Sequence, residues 1–330
     1  MKADGPIGVL LLNLGGPDSL SAVRPFLFNL FSDRDIIRLG PSFLQRPLAY
    51  LISTMRHGKT ESFYSQIGGK SPILEITTAQ AGKLQEELNS SGDSSGNRRF
   101  SVFVGMRYWH PFIDDVVPAI CRAGIDRLVV LSLYPHYSVA TTGSSFSKFE
   151  QAIGGLPIRL VKITSWYDHP LYIDALVNNI RRGMENFRES PDPVHLLFSA
   201  HSLPEKFIEE GDPYVDQIKG TISEISKRID LPYDLSYQSR SGPVKWLEPS
   251  TDHMLERLAG VGVRNLLVVP VSFVSDHIET LYEIDILYKR MAEGMGIRLE
   301  RVDSLNTSPL FIAALRDIVE RSVKDSGWDC

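Results

Sequence analysis

The sequence predicts an α/β protein of two similar halves, each a four-stranded parallel sheet flanked by helices. Short runs rich in Val, Leu and Ile recur along the chain, each ending in Gly, Pro or Ser, with longer amphipathic stretches between them. That alternation marks buried parallel strands separated by helices. A weak internal repeat supports the division: GVLLLNLGGPDS shares its plan with HLLFSAHSLPEK, and RAGIDRLVVLSLYPHYS resembles GVGVRNLLVVPVSFVSDH in more detail.

Taken in order, the expected strands of the first half are 7–13 (IGVLLLN), 100–106 (FSVFVGM), 127–133 (RLVVLSL) and 158–163 (IRLVKI). Those of the second are 194–200 (VHLLFSA), 234–239 (DLSYQS), 265–272 (NLLVVPVS) and 297–302 (IRLERV). Strand one and strand two are separated by an insertion of roughly 85 residues, too long for a bare loop. Within it, over about 20–75, SAVRPFLFNLF and PSFLQRPLAYLISTM read as helical turns loaded with Leu, Phe, Tyr and Met. Core packing and an apolar lip suited to a flat greasy ligand or a membrane surface are both open readings. The segment SPLFIAALRDIVERSV is a helix with Ser308 at the N-cap and Pro309 in the first turn. It is expected to pack on the first half. The halves are thus 1–165, joined by the helix 308–325, and 166–307.

With 330 residues, 43% of them hydrophobic, the chain has enough material for two compact cores. Its formal net charge of -5 comes from mixed acids and bases with no basic block, so nucleic acid is an unsuitable partner. Two cysteines far apart, Cys121 and Cys330, suit neither a disulfide framework nor a thiolate metal cage. The N-terminal run lacks signal-peptide form, and no segment reaches the roughly 20 apolar residues of a spanning helix. A cytoplasmic enzyme, monomeric, is the expectation.

Ligands of open α/β sheets bind beyond the carboxyl ends of the strands, where this sequence concentrates its unusual polar residues. In FVSDHIETLYEIDILY, Glu279 and Glu283 share one helical face and His277 precedes them. Such a row can bind a hard or borderline cation and relay protons. Asp276 and Glu279 equally fit a helix capping box. His201, in SAHSLP, follows a strand and is suited either to catalysis or to a local hydrogen bond. Ser199 beside it raises a hydrolase reading, against which the G-x-S-x-G elbow is absent. Thr141, Thr142, Ser144 and Ser145 near Gly143 are an anion nest or an ordinary loop. In GMRYWHP, Arg107 is suited to pairing a carboxylate, and Tyr108 or Trp109 to packing on a ring.

Together these stretches resemble the ferrochelatase family from end to end, through LLNLGGPDSL, FYSQIGGKSPI, GMRYWHP, LYPHYSVATTGSS, LFSAHSLP, GDPY, YQSRSGPVKWLEPSTD, PVSFVSDHIETLYEIDI and DSLNTSPLF. The resemblance, to the bacterial type, implies two Rossmann-like halves with a porphyrin between them, and insertion of ferrous iron into protoporphyrin IX to give haem. It implies that His201 is the metal ligand or proton acceptor facing the pyrrole nitrogens and that Glu279 is its partner across the cleft. His277 and Glu283 match the polar row leading away. Asn13, Ser71, Arg107, Tyr108, Tyr134 and Trp246 match positions that hold the macrocycle or its propionates, with Thr141 and Thr142 in the adjoining loop. Leu14 stands where animal members carry methionine.

Animal ferrochelatases hold an iron–sulfur cluster through a cysteine in the loop where this chain has Val139, and two cysteines cannot supply four ligands. No resident cofactor is therefore expected, with Fe2+ as substrate only. Leu287 continues the spacing of Glu279 and Glu283 where some relatives place another acid. A coproporphyrin III ferrochelatase, a cobalt chelatase of the same fold and a non-catalytic tetrapyrrole carrier are the alternatives. The insertion also carries Arg24, Arg34, Arg38, Arg46 and Arg56 among its apolar residues, a composition suited to weak peripheral membrane contact.

Overall fold

The computed structural model describes residues 5–37, 39–90, 100–242 and 244–328. Two compact units are present: Met1–Trp166 with Asn306–Cys330, and Tyr167–Leu305.

The first unit holds β1 (Ile7–Asn13), β2 (Phe100–Met106), β3 (Arg127–Ser132) and β4 (Arg159–Ile163) in the order β2-β1-β3-β4. The second holds β5 (Val194–His201), β6 (Tyr233–Gln238), β7 (Asn265–Pro270) and β8 (Arg298–Arg301) in the order β6-β5-β7-β8. Every pairing is parallel. The two orders are the same plan, with β1 matching β5 and β3 matching β7, as the sequence repeat implies. β1, β3 and β7 are buried along their whole length, which is why they read as unbroken apolar runs rather than alternating ones.

Helices α1 (Val23–Ser32), α2 (Gln45–Ser65) and α3 (Ile73–Ser90) fill the insertion, α4 (Ile113–Arg122) joins β2 to β3, and α5 (Ser144–Ile153) follows β3. In the second unit α6 (Pro170–Met184), α7 (Glu205–Glu209), α8 (Tyr214–Ser226), α9 (Thr251–Gly260) and α10 (Lys289–Gly294) take the same supporting places, and α11 (Pro309–Asp325) ends the chain. A short π-helical turn, Val139–Gly143, leads into α5, and a longer π-helix, Glu279–Tyr288, leads into α10. Both follow the third strand of their sheet.

The apolar spacing of α4 puts Ile113, Val116, Val117 and Ile120 on one face against Leu10, Leu12, Leu128 and Val130 of the sheet. In the second unit Met254, Leu255 and Leu258 of α9 pack on Leu197, Leu266 and Val268. Each fully buried large apolar side chain contributes about 1.5–3 kcal/mol. The last helix, α11, packs on α3, β3 and β4, with Phe311 against the Trp166 ring. Ser308 does stand at its N-cap with Pro309 following, but the Ser308 hydroxyl makes no capping bond.

Helix α2 departs from simple core packing. It buries Gln45, Ala49 and Ser53 and turns Tyr50, Leu51 and Met55 outward. The reason lies in the irregular segment after α1. Gln45 Nε2 donates to the carbonyls of Phe31 and Ile37, at 2.7 and 2.8 Å, and Gln45 Oε1 accepts from the Leu39 N–H. Buried backbone groups with no ladder to join need such a partner, and one amide serves three of them.

The outer edge of β2 is also served by side chains. Asn89 Oδ1 accepts from the Phe100 N–H and Gln85 Oε1 from the Val102 N–H, both at 2.9 Å, while the Pro111 carbonyl takes the Met106 N–H.

Candidate active site

His201 ends β5, and the register places it beside Gln238 at the end of β6. Parallel strands finish at one edge, so imidazole and amide emerge together where such sheets hold their ligands. The peptide of His201 is fixed at both sides: its N–H donates to Ser272 Oγ and its carbonyl accepts from Tyr214 Oη, each at 3.0 Å. After β7 the chain passes through Phe273 into the π-helix. Its first residue, Glu279, lies in direct contact with His201, Nδ1 to Oε2 at 2.8 Å. An ionised carboxylate only accepts, so Nδ1 carries the hydrogen and the neutral ring presents its lone pair at Nε2.

One turn further along, Glu283 joins the same group. Ser239 Oγ lies 2.9 Å from Glu279 Oε2 and 2.6 Å from Glu283 Oε2. Gln238 Nε2 donates to the Glu279 carbonyl and to Glu283 Oε2, while its Oε1 accepts from Ser199 Oγ at 2.6 Å. His277 is buried and donates from Nδ1 to the Ser275 carbonyl at 3.0 Å. The Phe273 ring stands edge-on to both imidazoles, 6.2 Å from His201 and 4.4 Å from His277.

These neighbours spread the proton affinities apart. Burial alone would raise the Glu279 carboxyl, but the charge and hydrogen bond of His201 outweigh it and hold it at about 2. Burial likewise opposes a charge on His201, and Glu279 more than restores it, so the imidazole lies above its usual range. Glu283 is pushed up to about 7 by burial and then by the negative charge of Glu279. Burial lowers His277, which is neutral in consequence. The cluster therefore combines an ionised carboxylate set against an imidazole of raised proton affinity, a carboxyl that gains and loses its proton near neutrality, and a neutral imidazole, the ingredients of proton exchange.

In the first unit, Asp33 follows α1 and one of its oxygens gathers three donors. Arg107 Nη2 lies at 2.7 Å from Asp33 Oδ2, and Tyr108 Oη and Ser144 Oγ each at 2.5 Å; Arg107 Nε donates to Ser144 Oγ at 2.8 Å. Arg107, suited by its sequence setting to pairing a carboxylate, has one within the protein, Asp33. Tyr108 was expected to pack on a ligand ring, yet it is 1% exposed, and burial with the Asp33 charge raises its phenol well above the usual value.

A family model for ferrochelatase matches residues 6–323. The chain belongs to the ferrochelatase family. A ferrochelatase of Geotalea uraniireducens is 53% identical over 319 residues, covering 96% of this chain and 97% of that one. One from Synechocystis is 48% identical over 329 residues, covering 97% and 84%. Among solved structures, SirB from Bacillus subtilis with Fe3+ aligns over 99% of this chain and 98% of its own, with a TM-score of 0.56 at 8% identity. Bacillus subtilis sirohydrochlorin chelatase SirB in complex with cobalt aligns over 98% and 97%, with a TM-score of 0.54 at 11% identity. The likeness to these two is one of fold. A ferrochelatase is a metal chelatase, of the lyase class.

The remaining ferrochelatase positions read from the sequence lie as follows. Asn13 ends β1, buried, donating from Nδ2 to Thr77 Oγ1 at 3.0 Å and accepting the Leu14 N–H at Oδ1. Leu14 beside it is half-buried. Ser71 is buried against Gly16, where an added Cβ would come within 2.5 Å of its Oγ, so glycine is required for that approach. Tyr134 is half-buried just past β3. The hydroxyl loop does not form an open anion nest: Thr142 Oγ1 meets Ser132 Oγ at 2.9 Å, Thr141 Oγ1 turns to the Ser138 carbonyl, and the Gly143 N–H donates there too. Trp246 pairs by its backbone with Pro204, and its buried indole N–H has no hydrogen-bond partner among the described residues.

Two local readings of the ferrochelatase sequence are replaced. Glu279 does not close a capping box: its carboxylate faces His201 and Ser239, and the π-helix starts without a side-chain cap. Ser199 is fully buried and donates to Gln238, so it is no nucleophile for His201. Asp33, Ser239, Ser272 and Phe273 escaped sequence reasoning. Ser239 was findable in principle, since it directly follows Gln238 at a strand end.

Proposed function

We propose that the protein inserts ferrous iron into protoporphyrin IX, releasing two protons, as the terminal step of haem synthesis. The observation that carries the proposal is the His201–Glu279 contact at the carboxyl edge of the second sheet, 2.8 Å long and backed by Glu283. Insertion requires a base for each pyrrole N–H and a charge that draws the dication from water. In this reading His201 Nε2 takes a proton or the metal, Glu279 stabilises the cationic imidazole, and Glu283 and His277 hand protons onward. Two donors rather than a closed cage suit a metal that is cargo. Among the described residues no group of three or more His, Cys, Asp or Glu side chains is arranged to hold a metal ion.

Protoporphyrin is preferred to coproporphyrin because Arg107 is already neutralised by Asp33, and a ring with two carboxylates asks less of the first unit than one with four. Iron is preferred to cobalt because the relatives near 50% identity are ferrochelatases, whereas the cobalt-bound structure shares 11%. The test is anaerobic incubation of purified protein with ferrous iron and either porphyrin, followed by absorbance. Faster turnover of coproporphyrin would reverse the substrate assignment. Tight binding of both rings without turnover would make the protein a carrier.

Weak membrane contact belongs to the same proposal. Phe43, in the short turn before α2, and Met55, on α2, are 76% and 74% exposed, and the Arg24 guanidinium covers the Tyr50 ring at 4.8 Å. Arg38 lies outside the described residues, and no described helix is long and apolar enough to cross a bilayer. A small apolar face ringed by arginines gives reversible, salt-sensitive attachment to anionic lipid. Vesicle sedimentation should show modest binding that falls with salt and is lost in the double variant Phe43→Ser, Met55→Ser.

A further inference from the structure

Among the described residues, the non-glycine positions with positive φ are Ser239, at 68°, and Asn306, at 43°. Asparagine tolerates that conformation; serine does so less readily, and the left-handed region is unfavourable for any side chain with a Cβ. Such a residue persists only where its surroundings fix it. What surrounds Ser239 is the pair of carboxylates, 2.9 and 2.6 Å from its hydroxyl.

We propose that Ser239 is a positioning residue, whose left-handed backbone at the end of β6 aims one hydroxyl between Glu279 and Glu283 and so sets the angle at which Glu279 meets His201. The inference rests on the reading of His201 and Glu279 as the reacting pair. The terminal torsion of a glutamate is broad, so a carboxylate held by one donor swings easily. Glu279 Oε2 receives two donors, His201 Nδ1 at the end of β5 and Ser239 Oγ just past β6. Gln238 cannot replace the serine, because its amide reaches the Glu279 carbonyl and Glu283 but not the Glu279 carboxylate. With the hydroxyl gone, Glu279 is free to turn from His201 while the fold around it stays anchored.

Three variants of the full chain separate this role from a purely structural one: Ser239→Ala, Ser239→Gly and Ser239→Thr, each measured for melting temperature and for kcat and KM of ferrous insertion into protoporphyrin. Glycine relieves the backbone strain and alanine keeps it, so Ser239→Gly should melt above Ser239→Ala. Both lack the hydroxyl, and both should lose about tenfold in kcat, to the same degree, with KM for the porphyrin unchanged. Ser239→Thr keeps a hydroxyl and should retain most of kcat although its branched Cβ makes it melt lower than glycine. Asn306→Gly, in the other unit, controls for strain relief alone and should leave kcat unaltered. A kcat that follows melting temperature, with Ser239→Gly near wild type, would overturn the proposal. His201→Ala in the same series keeps the two ideas apart. If that variant loses insertion while both Ser239→Gly and Ser239→Ala turn over normally, Ser239 alone is misread; if it inserts iron normally, the reacting pair itself is wrong and the inference falls with it.

Discussion

The two units share one strand order, and each gathers a buried polar cluster beyond its strand ends, but the clusters are balanced differently. In the first, a single carboxylate, Asp33, is met by one guanidinium and two hydroxyls. Every charge there has its opposite. In the second, two carboxylates share one imidazole and one serine hydroxyl. A closed network fixes side chains and helix ends, whereas a cluster short of positive charge keeps a proton or a cation in demand. The same scaffold thus closes its charges in one half and leaves a carboxylate in excess in the other.

The comparison breaks most decisively at His201. His201→Ala should lower insertion by at least about a hundredfold, the usual contribution of a positioned base, while porphyrin affinity measured by fluorescence quenching stays within a few fold. Equal loss of binding and turnover would mean that the second cluster holds the ring rather than acting on it. The counterpart in the first unit is Asp33→Asn. Leaving the Arg107 charge buried without its partner should cost about 3–5 kcal/mol, read as a drop of roughly 10 °C in melting temperature. Turnover per folded molecule should fall far less than in His201→Ala. If Asp33→Asn melts normally but is inactive, the contrast drawn between the two clusters fails.

Finer tests lie within the second cluster. Glu279→Gln should reduce turnover more than Glu283→Gln does, because only Glu279 touches the imidazole. It should also move the acid limb of kcat/KM to lower pH: the Glu279 charge raises His201, so its removal frees the neutral base at a lower pH. An unmoved limb would show that another group titrates.

The smallest effect is on stability. In the folded protein Glu283 keeps its proton up to about 7, while in the unfolded chain it loses it at an ordinary carboxyl value. Between those values the folded state binds more protons, so wild-type stability falls as pH rises through that window. Glu283→Gln has no such proton to lose. It should melt like wild type near about pH 4 and gain about 1–3 kcal/mol by about pH 8, and a pH-independent difference would argue against the frustrated pair.

Much of the fold was legible because buried parallel strands announce themselves. The runs IGVLLLN and FSVFVGM are β1 and β2 to the residue, and the other strands differ from expectation by a residue or two at their ends, where hydrogen bonding rather than hydrophobicity sets the limit. Helix α2 was harder, since its buried face is chosen by the needs of Gln45 and the backbone it serves. The candidate site was legible where a residue type is rare at a strand end, as with His201. It was not where the geometry depends on partners distant in sequence. Asp33 looks like one more acid in SDRD until the fold brings Arg107 to it, and Ser239 is an ordinary loop serine until φ is known. Glu279 was ambiguous between cap and site because both readings use the same local spacing; the π-helical winding and the facing imidazole decide it.

The outer border of β2 is partly closed by groups from outside the sheet. An outermost strand ordinarily exchanges its outward amide hydrogens with solvent quickly and offers them to any passing extended peptide. Here Asn89, Gln85 and the Pro111 carbonyl already hold the amides of Phe100, Val102 and Met106. In deuterium those three amides should therefore behave as interior ones, which leaves fewer of the outward amides of β2 to recruit a neighbouring molecule's strand.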